Sequence, residues 1–205
     1  WLSDGRTLAV ANGGILTDPE RPKQKLNLSA MAPNLSLVDS RTGSVLKTVT
    51  LPEHQSSIRH LAVSAADTVV MGMQHEGSPE KVVPLVALYN TRHDRLTLPD
   101  VPRTDLIRMK QYVASICIDD RSGVAVATCP RGHRITFWDL KTGRYVGQYR
   151  VRDAGGISID QERGEFVASS GMGGLIRFSA ASPLSVHPVL QRTPRVFWDN
   201  HLRFV

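Results

Sequence analysis

The side chains most able to bind or react sit at the ends of β-prone runs. His60, His75, Glu76 and His201 carry imidazole and carboxylate donors of the kind that suit a transition metal. No pair of them has the tight spacing of a dedicated site such as H-E-x-x-H. Unrelated histidines are the simpler reading, and no metal site is assigned. Arg59 adjoins His60, and Arg131 and His133 flank Gly132. Arg59 and His60 could contact an anion at the channel mouth or bond loop carbonyls between blades, and Arg131 could contact a ligand or enter a loop-stapling salt bridge. Asp153 precedes Gly155-Gly156 and could accept a fork from Arg131, stapling two loops. Gln74 and Tyr112 add an amide and a phenol at equivalent places. The sequence has no G-x-S-x-G, P-loop or C-x-x-C-H, so it offers no nucleophile elbow, phosphate cradle or c-type haem attachment. No catalytic residue is assigned, and the cofactor is left open.

Positioning these residues requires a scaffold, and internal repeats identify it. Val38-Asp39-Ser40-Arg41-Thr42-Gly43 and Trp138-Asp139-Leu140-Lys141-Thr142-Gly143 are the same turn 100 residues apart. Tyr89-Asn90-Thr91-Arg92-His93-Asp94 lies midway, and Phe178 to Pro183 is a degenerate fourth copy. In each, an apolar strand ends in a residue that can start a tight turn through its own side chain. A second series alternates with the first: strand–turn–strand units at Trp1 to Asn12, Ile58 to Met73, Val113 to Thr128 and Ile157 to Ser170. Together they predict four short strands per repeat of about 50 residues, the mark of a β-propeller blade. The fold class is all-β, with helix expected only as a turn or two within Thr104 to Gln111.

The strands of each blade are labelled a to d from the centre outward. The blades are predicted at 1–51 (strand a cut short), 58–98, 112–150 and 155–190, with a closing strand at 196–204. About four four-stranded antiparallel blades are present. A seven-bladed ring needs roughly 350 residues at this period; a four-bladed ring is possible, but the abrupt start inside a strand reads as a larger ring whose first blades lie upstream. The exposed faces of such a fragment should carry bare apolar residues, Leu35 and Leu37 among them. Alternating strand direction puts the long b–c and d–a connections on one face, which is the expected working face. Arg59, His60, Gln74, His75, Glu76, Tyr112, Arg131, Asp153 and His201 all fall there.

The two cysteines are expected to be free. The hairpin turn near Arg121 places Cys129 opposite about residue 113. Cys117 is then roughly 13 Å away at about 3.3 Å per residue, too far for a disulfide.

Composition limits the partners. Net charge is 25 − 19 = +6, but the basic residues are scattered over all blades. Without a basic run or a series of stacking aromatics, nucleic acid is not expected as a partner, whereas an anionic ligand or surface is. No apolar run reaches the ~18 residues of a membrane span.

Seven short segments occur in order: Asn12-Gly13-Gly14-Ile15, Lys25-Leu26-Asn27-Leu28, Ser57-Ile58-Arg59-His60-Leu61, Gln74-His75-Glu76-Gly77, Tyr112-Val113-Ala114-Ser115, Pro130-Arg131-Gly132 and Trp198-Asp199-Asn200-His201. Together they resemble a family of bacterial exported proteins classed as a domain of unknown function, and match its C-terminal part. The resemblance implies a YVTN- or WD-repeat-like propeller, a twin-arginine signal upstream and a periplasmic location. It also implies a genetic neighbourhood of imelysin-like iron-uptake proteins and di-haem oxidoreductases. The sequence differs from the family's usual residues at Cys129 (Ser) and His75 (Tyr or Phe).

Two functions follow as expectations. The first is a non-enzymatic module that binds a protein partner or small anionic ligand on the loop-rich face, with a link to iron acquisition implied by the resemblance. The second is a propeller enzyme of lactonase or quinoprotein type, with a metal or cofactor in the channel.

Overall fold

The computed structural model describes residues 1–181, 189–192 and 196–203. Four antiparallel sheets follow one another along the chain. The first has three strands, β1 (Thr7–Asn12), β4 (Asn34–Asp39) and β5 (Val45–Thr50). Its β1–β4 connection carries a small hairpin, β2 (Thr17–Asp18) with β3 (Arg21–Lys25), and a 3-10 turn at Leu28–Ala30. The second sheet is β6 (Ser56–Val63), β7 (Thr68–His75), β8 (Val86–Asn90) and β9 (Arg95–Thr97). The third is β10 (Ser115–Asp119), β11 (Val124–Cys129), β12 (Arg134–Asp139) and β13 (Arg144–Arg150). The fourth is β14 (Ala154–Asp160), β15 (Glu165–Ser170), β16 (Gly174–Ser179) and β17 (Val189–Arg192). The first strands β6, β10 and β14 pack side by side, and β1 lies against β6. This is an all-β architecture of blade-like sheets.

The repeated turns have the chemistry their sequences require. Asp39 Oδ1 accepts from the Arg41 and Thr42 amides, and Asp139 Oδ1 accepts from the Thr142 amide and hydroxyl. Gly43 and Gly143 then take φ of 72° and 67°, which a Cβ would resist. In the middle copy Asn90 accepts from the His93 amide and Asp94 takes the left-handed position at φ 47°. These turns join the third and fourth strands of their sheets. By that correspondence β1 is a second strand, and only the Leu2 amide bonding to the Thr7 carbonyl represents the first.

Each pair of neighbouring sheets shares one apolar layer, so the packing runs in series. Leu35, Val69, Met71 and Met73 lie between the first and second sheets, and Val70, Leu88, Ile116 and Trp138 between the second and third. Phe137, Phe166 and Phe178 lie between the third and fourth. Strand β11 shows why the middle strands read as unbroken apolar runs. Val124 and Val126 face the fourth sheet, whereas Ala125, Ala127 and Cys129 face the second.

Strand parity corrects one expectation. Leu35 and Leu37 are not bare; both are buried against the second sheet. They share that face with Ala9, Ala11 and Val49, so Leu8, Val10, Val38 and Val45 face away. Val10 is 37% exposed and Val45 61%.

Parity also decides the thiols. Both cysteines are free. Ser115 pairs with Thr128, so Cys129 lies across from residue 114 rather than 113. Cys117 packs toward the fourth sheet and Cys129 toward the second, so the thiols point to opposite faces. Burial pushes both pKa values up to about 12, which keeps them unreactive thiols.

Two further differences concern connections. The helix α1 (Arg103–Arg108) ends before Lys110 and Gln111, because both take left-handed φ, 54° and 56°. Residues 196–203 carry no strand, contrary to the expected closing strand; Phe204 lies outside the described residues. A Cβ on Gly156 would meet Leu202 Cβ and N at 2.8 Å, and one on Gly155 would meet the Asp199 carbonyl at 3.1 Å. The segment therefore lies over the bulge at the start of β14.

Candidate functional site

The long connections of all four sheets gather on one face and are tied together by hydrogen bonds. Gln55 Nε2 donates to the Leu28 carbonyl, and the Glu76 amide donates to the Gln55 carbonyl. Gln111 Nε2 donates to three carbonyls of the next loop, Ser78, Pro79 and Lys81, at 3.0, 3.2 and 2.7 Å. The Asp153 amide donates to His133 Nδ1 at 3.0 Å.

The nine residues singled out above fall into separate groups. Arg59 is the extra residue of a bulge between Ile58 and His60. A bulge breaks the alternation that would otherwise turn neighbours to opposite sides. Arg59 Nη2 donates to Glu76 Oε1 at 2.6 Å, and Lys25 from the β2–β3 hairpin holds the other oxygen. The Glu76 side chain is only 5% exposed. Burial by itself would raise its pKa, but Lys25 and Arg59 outweigh that and hold it low. This cluster joins the first sheet's hairpin to the second sheet.

A depressed carboxylate stabilises the fold above its unfolded pKa, and that stability is lost as pH falls through the folded value. Acidification below about pH 4.5 is therefore expected to lower the melting temperature of the wild type more steeply than that of Glu76→Gln. Equal slopes in thermal melts across pH 3–6 would count against the assignment.

His60 and His201 meet, their ring centroids 6.2 Å apart and tilted by 35°. The Ile116 amide donates to His60 Nδ1 at 3.0 Å, which puts the proton of the neutral ring on Nε2. Burial, and secondly the neighbouring His201, hold the His60 pKa below 6.5. The sign follows: His60 favours folding above pH 6.5, and that contribution drains away as pH falls through its lower folded value. The Ile116 amide resonance is expected to titrate in that window, and to stop doing so in His60→Gln.

Tyr112 bridges to Gln74 through the backbone and accepts from Asn200 Nδ2 at 3.2 Å. The Arg131 guanidinium lies 4.8 Å from the Tyr112 ring centroid, a cation–π contact. Arg131 therefore does not form the expected fork with Asp153. Asp153, at φ 51°, is tied instead by its amide to His133, and its carboxylate packs against Gly171.

His75 stands apart. It is 3% exposed, its ring nitrogens have no hydrogen-bond partner among the described residues, and burial lowers its pKa. It pairs with Ser56 at one end of β6, whereas His60 pairs with Gly72, three residues along β7. That is roughly 10 Å at about 3.3 Å per residue. The donors His60, His75, Glu76 and His201 are thus not brought together as one ligand set. Among the described residues no group of three or more His, Cys, Asp or Glu is arranged to hold a metal ion.

The same face carries a cavity of about 530 Å³ between the 79–85 loop and α1. Val83, Leu85, Leu106 and Ile107 line it, with Arg103 and Lys110 among its cations, and Arg131 joins it to the Tyr112 cluster. Only Arg131 of these had been singled out. A signal was present in the d–a connection, where Leu106-Ile107 is flanked by Arg103, Arg108 and Lys110.

With the geometry established, comparison with known proteins adds one finding. The whole chain, residues 1–205, matches the family described as protein of unknown function (DUF1513). The chain belongs to the DUF1513 family. No curated protein matches it. In this DUF1513 chain no helix among the described residues is long and apolar enough to cross a membrane, which says nothing of membrane-spanning strands.

Proposed function

We propose that this DUF1513 chain is part of an exported, periplasmic β-propeller that acts as a binding module, with no reaction of its own. In this reading the four sheets are consecutive blades of a larger ring, with boundaries near 1–51, 58–98, 112–150 and 155–190. The family resemblance supports export and a role beside iron uptake. The observation that carries the binding reading is the cavity of about 530 Å³ on the loop-rich face, continuous with Arg131 over Tyr112. Its size lies within the ~300–1,000 Å³ of small-molecule sites, and its lining divides evenly between apolar side chains and polar or charged ones. Arg131 is exposed and makes no ion pair among the described residues, so no carboxylate neutralises its charge as it lies over Tyr112. Arg59 is committed to Glu76, so its role in this reading is to hold the face together.

The test is a thermal-shift screen of anionic small molecules against wild type and Arg131→Ala. A stabilising ligand should lose most of its effect in Arg131→Ala, whose own melting temperature should stay within about 2 °C of wild type, as for a surface substitution. A fall in melting temperature with ligand response unchanged would make Arg131 purely structural. The competing reading, a channel enzyme, calls for lactone turnover or stoichiometric metal in the purified full-length protein.

A further inference from the structure

We propose that the cavity between the 79–85 loop and α1 takes a small monoanion with an apolar body. Arg103 and Lys110 would hold the charge, and the apolar part would lie on Leu106 and Ile107. This rests on the loop-rich face being the binding face and adds the chemistry of the ligand.

The charges on the wall are unequal. Lys81 is paired with Glu53, and Arg131 lies over Tyr112. The Arg103 and Lys110 side chains have no hydrogen bond or ion pair among the described residues, and Glu80 is the only acid among the cavity-lining residues. The site is therefore left with uncompensated positive charge beside low-dielectric side chains, an arrangement that concentrates anions. The floor has a different character. Val83 and Leu85 are buried beneath it, whereas Ile107 is 48% exposed in a chain whose large apolar residues are mostly covered. An apolar ligand would leave the two cations unanswered. A compact inorganic anion would leave Ile107 wet. A ligand with one charged end and one apolar end satisfies both.

The walls are also held open. The Gln111 side chain pins the 78–81 loop through its three carbonyls. Lys110 and Gln111 adopt successive left-handed conformations, each unfavourable for a side-chain-bearing residue. Gly132 lets the 130–133 loop approach the helix so closely that a Cβ there would sit 2.3 Å from the Arg108 carbonyl oxygen. Such a frame spends little ordering on ligand entry.

Titration calorimetry with octanoate and with octan-1-ol, at 50 mM and 300 mM salt, tests the proposal. The two probes share an apolar chain and differ in charge. Octanoate should bind at least tenfold more tightly than octanol and weaken at the higher salt. The double variant R103A/K110A should lose at least tenfold in octanoate affinity while its melting temperature is unchanged. Equal binding of octanol would overturn the anion assignment and leave the binding face standing. Octanoate binding that R103A/K110A leaves intact would place the site elsewhere and overturn the proposal. Failure of both probes, or binding of phosphatidylglycerol vesicles without free octanoate, would overturn the cavity as the site; the Arg131→Ala screen then decides the broader reading on its own.

Discussion

Phe137→Ala is expected to destabilise the protein by about 3–5 kcal/mol, the range for removing a fully buried phenylalanine. Phe137 is completely buried on β12. Its ring meets Phe178 of the fourth sheet edge-on at 5.8 Å, and Phe178 stacks on Phe166 at 5.5 Å. The three rings form much of the layer between the third and fourth sheets. Truncation therefore opens a cavity between two sheets, where two independent surfaces must move to close it. Sheets packed in series share stability mainly with their neighbours, as repeats do. Hydrogen exchange should accordingly show the fourth sheet losing protection first. A loss under about 1 kcal/mol by denaturant titration, or uniform loss of protection in all four sheets, would contradict this account of the core.

The second large effect is steric. Gly132 does not have positive φ, so the cost of a Cβ there is space alone. In Gly132→Ala the new methyl would lie 2.3 Å from the Arg108 carbonyl oxygen and 3.0 Å from Met109 Cα. Both are backbone atoms, and Met109 is fully buried, so neither can swing aside. The 130–133 loop and α1 must separate, at about 1–3 kcal/mol for overpacking of this kind. Both carry cavity walls, so octanoate affinity should fall at least tenfold even though no ligand-contacting side chain is changed. Unaltered affinity would show that the cavity tolerates movement of α1.

What the sequence made legible was governed by local rules. Asp39, Asn90 and Asp139 announced their turns because a short polar side chain and a glycine or left-handed residue form the turn within six positions. The unbroken apolar run at β11 announced a doubly buried strand. What was missed depended on register between distant segments. Leu35 and Leu37 were assigned to the wrong side because the parity of the first sheet against the second cannot be read from either alone. The bulge at Arg59 also changed which side chains share a side, and nothing in Ile58-Arg59-His60 marks it. The candidate residues were legible singly but not as a constellation. Arg131 and Tyr112 meet across 19 positions, and His60 meets His201 only through the course of residues 196–203. Their loops were predictable, but the partner each side chain would choose was not. The cavity escaped because its cations were counted as scattered charge.

The course of residues 199–202 also sets an order of assembly. Ser169 donates to the Asp199 carbonyl, and Asn200 reaches back 88 residues to Tyr112. Chain synthesis delivers these residues after all four sheets, whose own ladders join strands close in sequence and can form as they emerge. These contacts of high sequence separation are thus made after the sheets beneath them. A released chain truncated before residue 199 would have its apolar layers in place while His60 and Tyr112 still lacked these neighbours. Maturation of this face is a late kinetic step, separable from folding of the sheets beneath it.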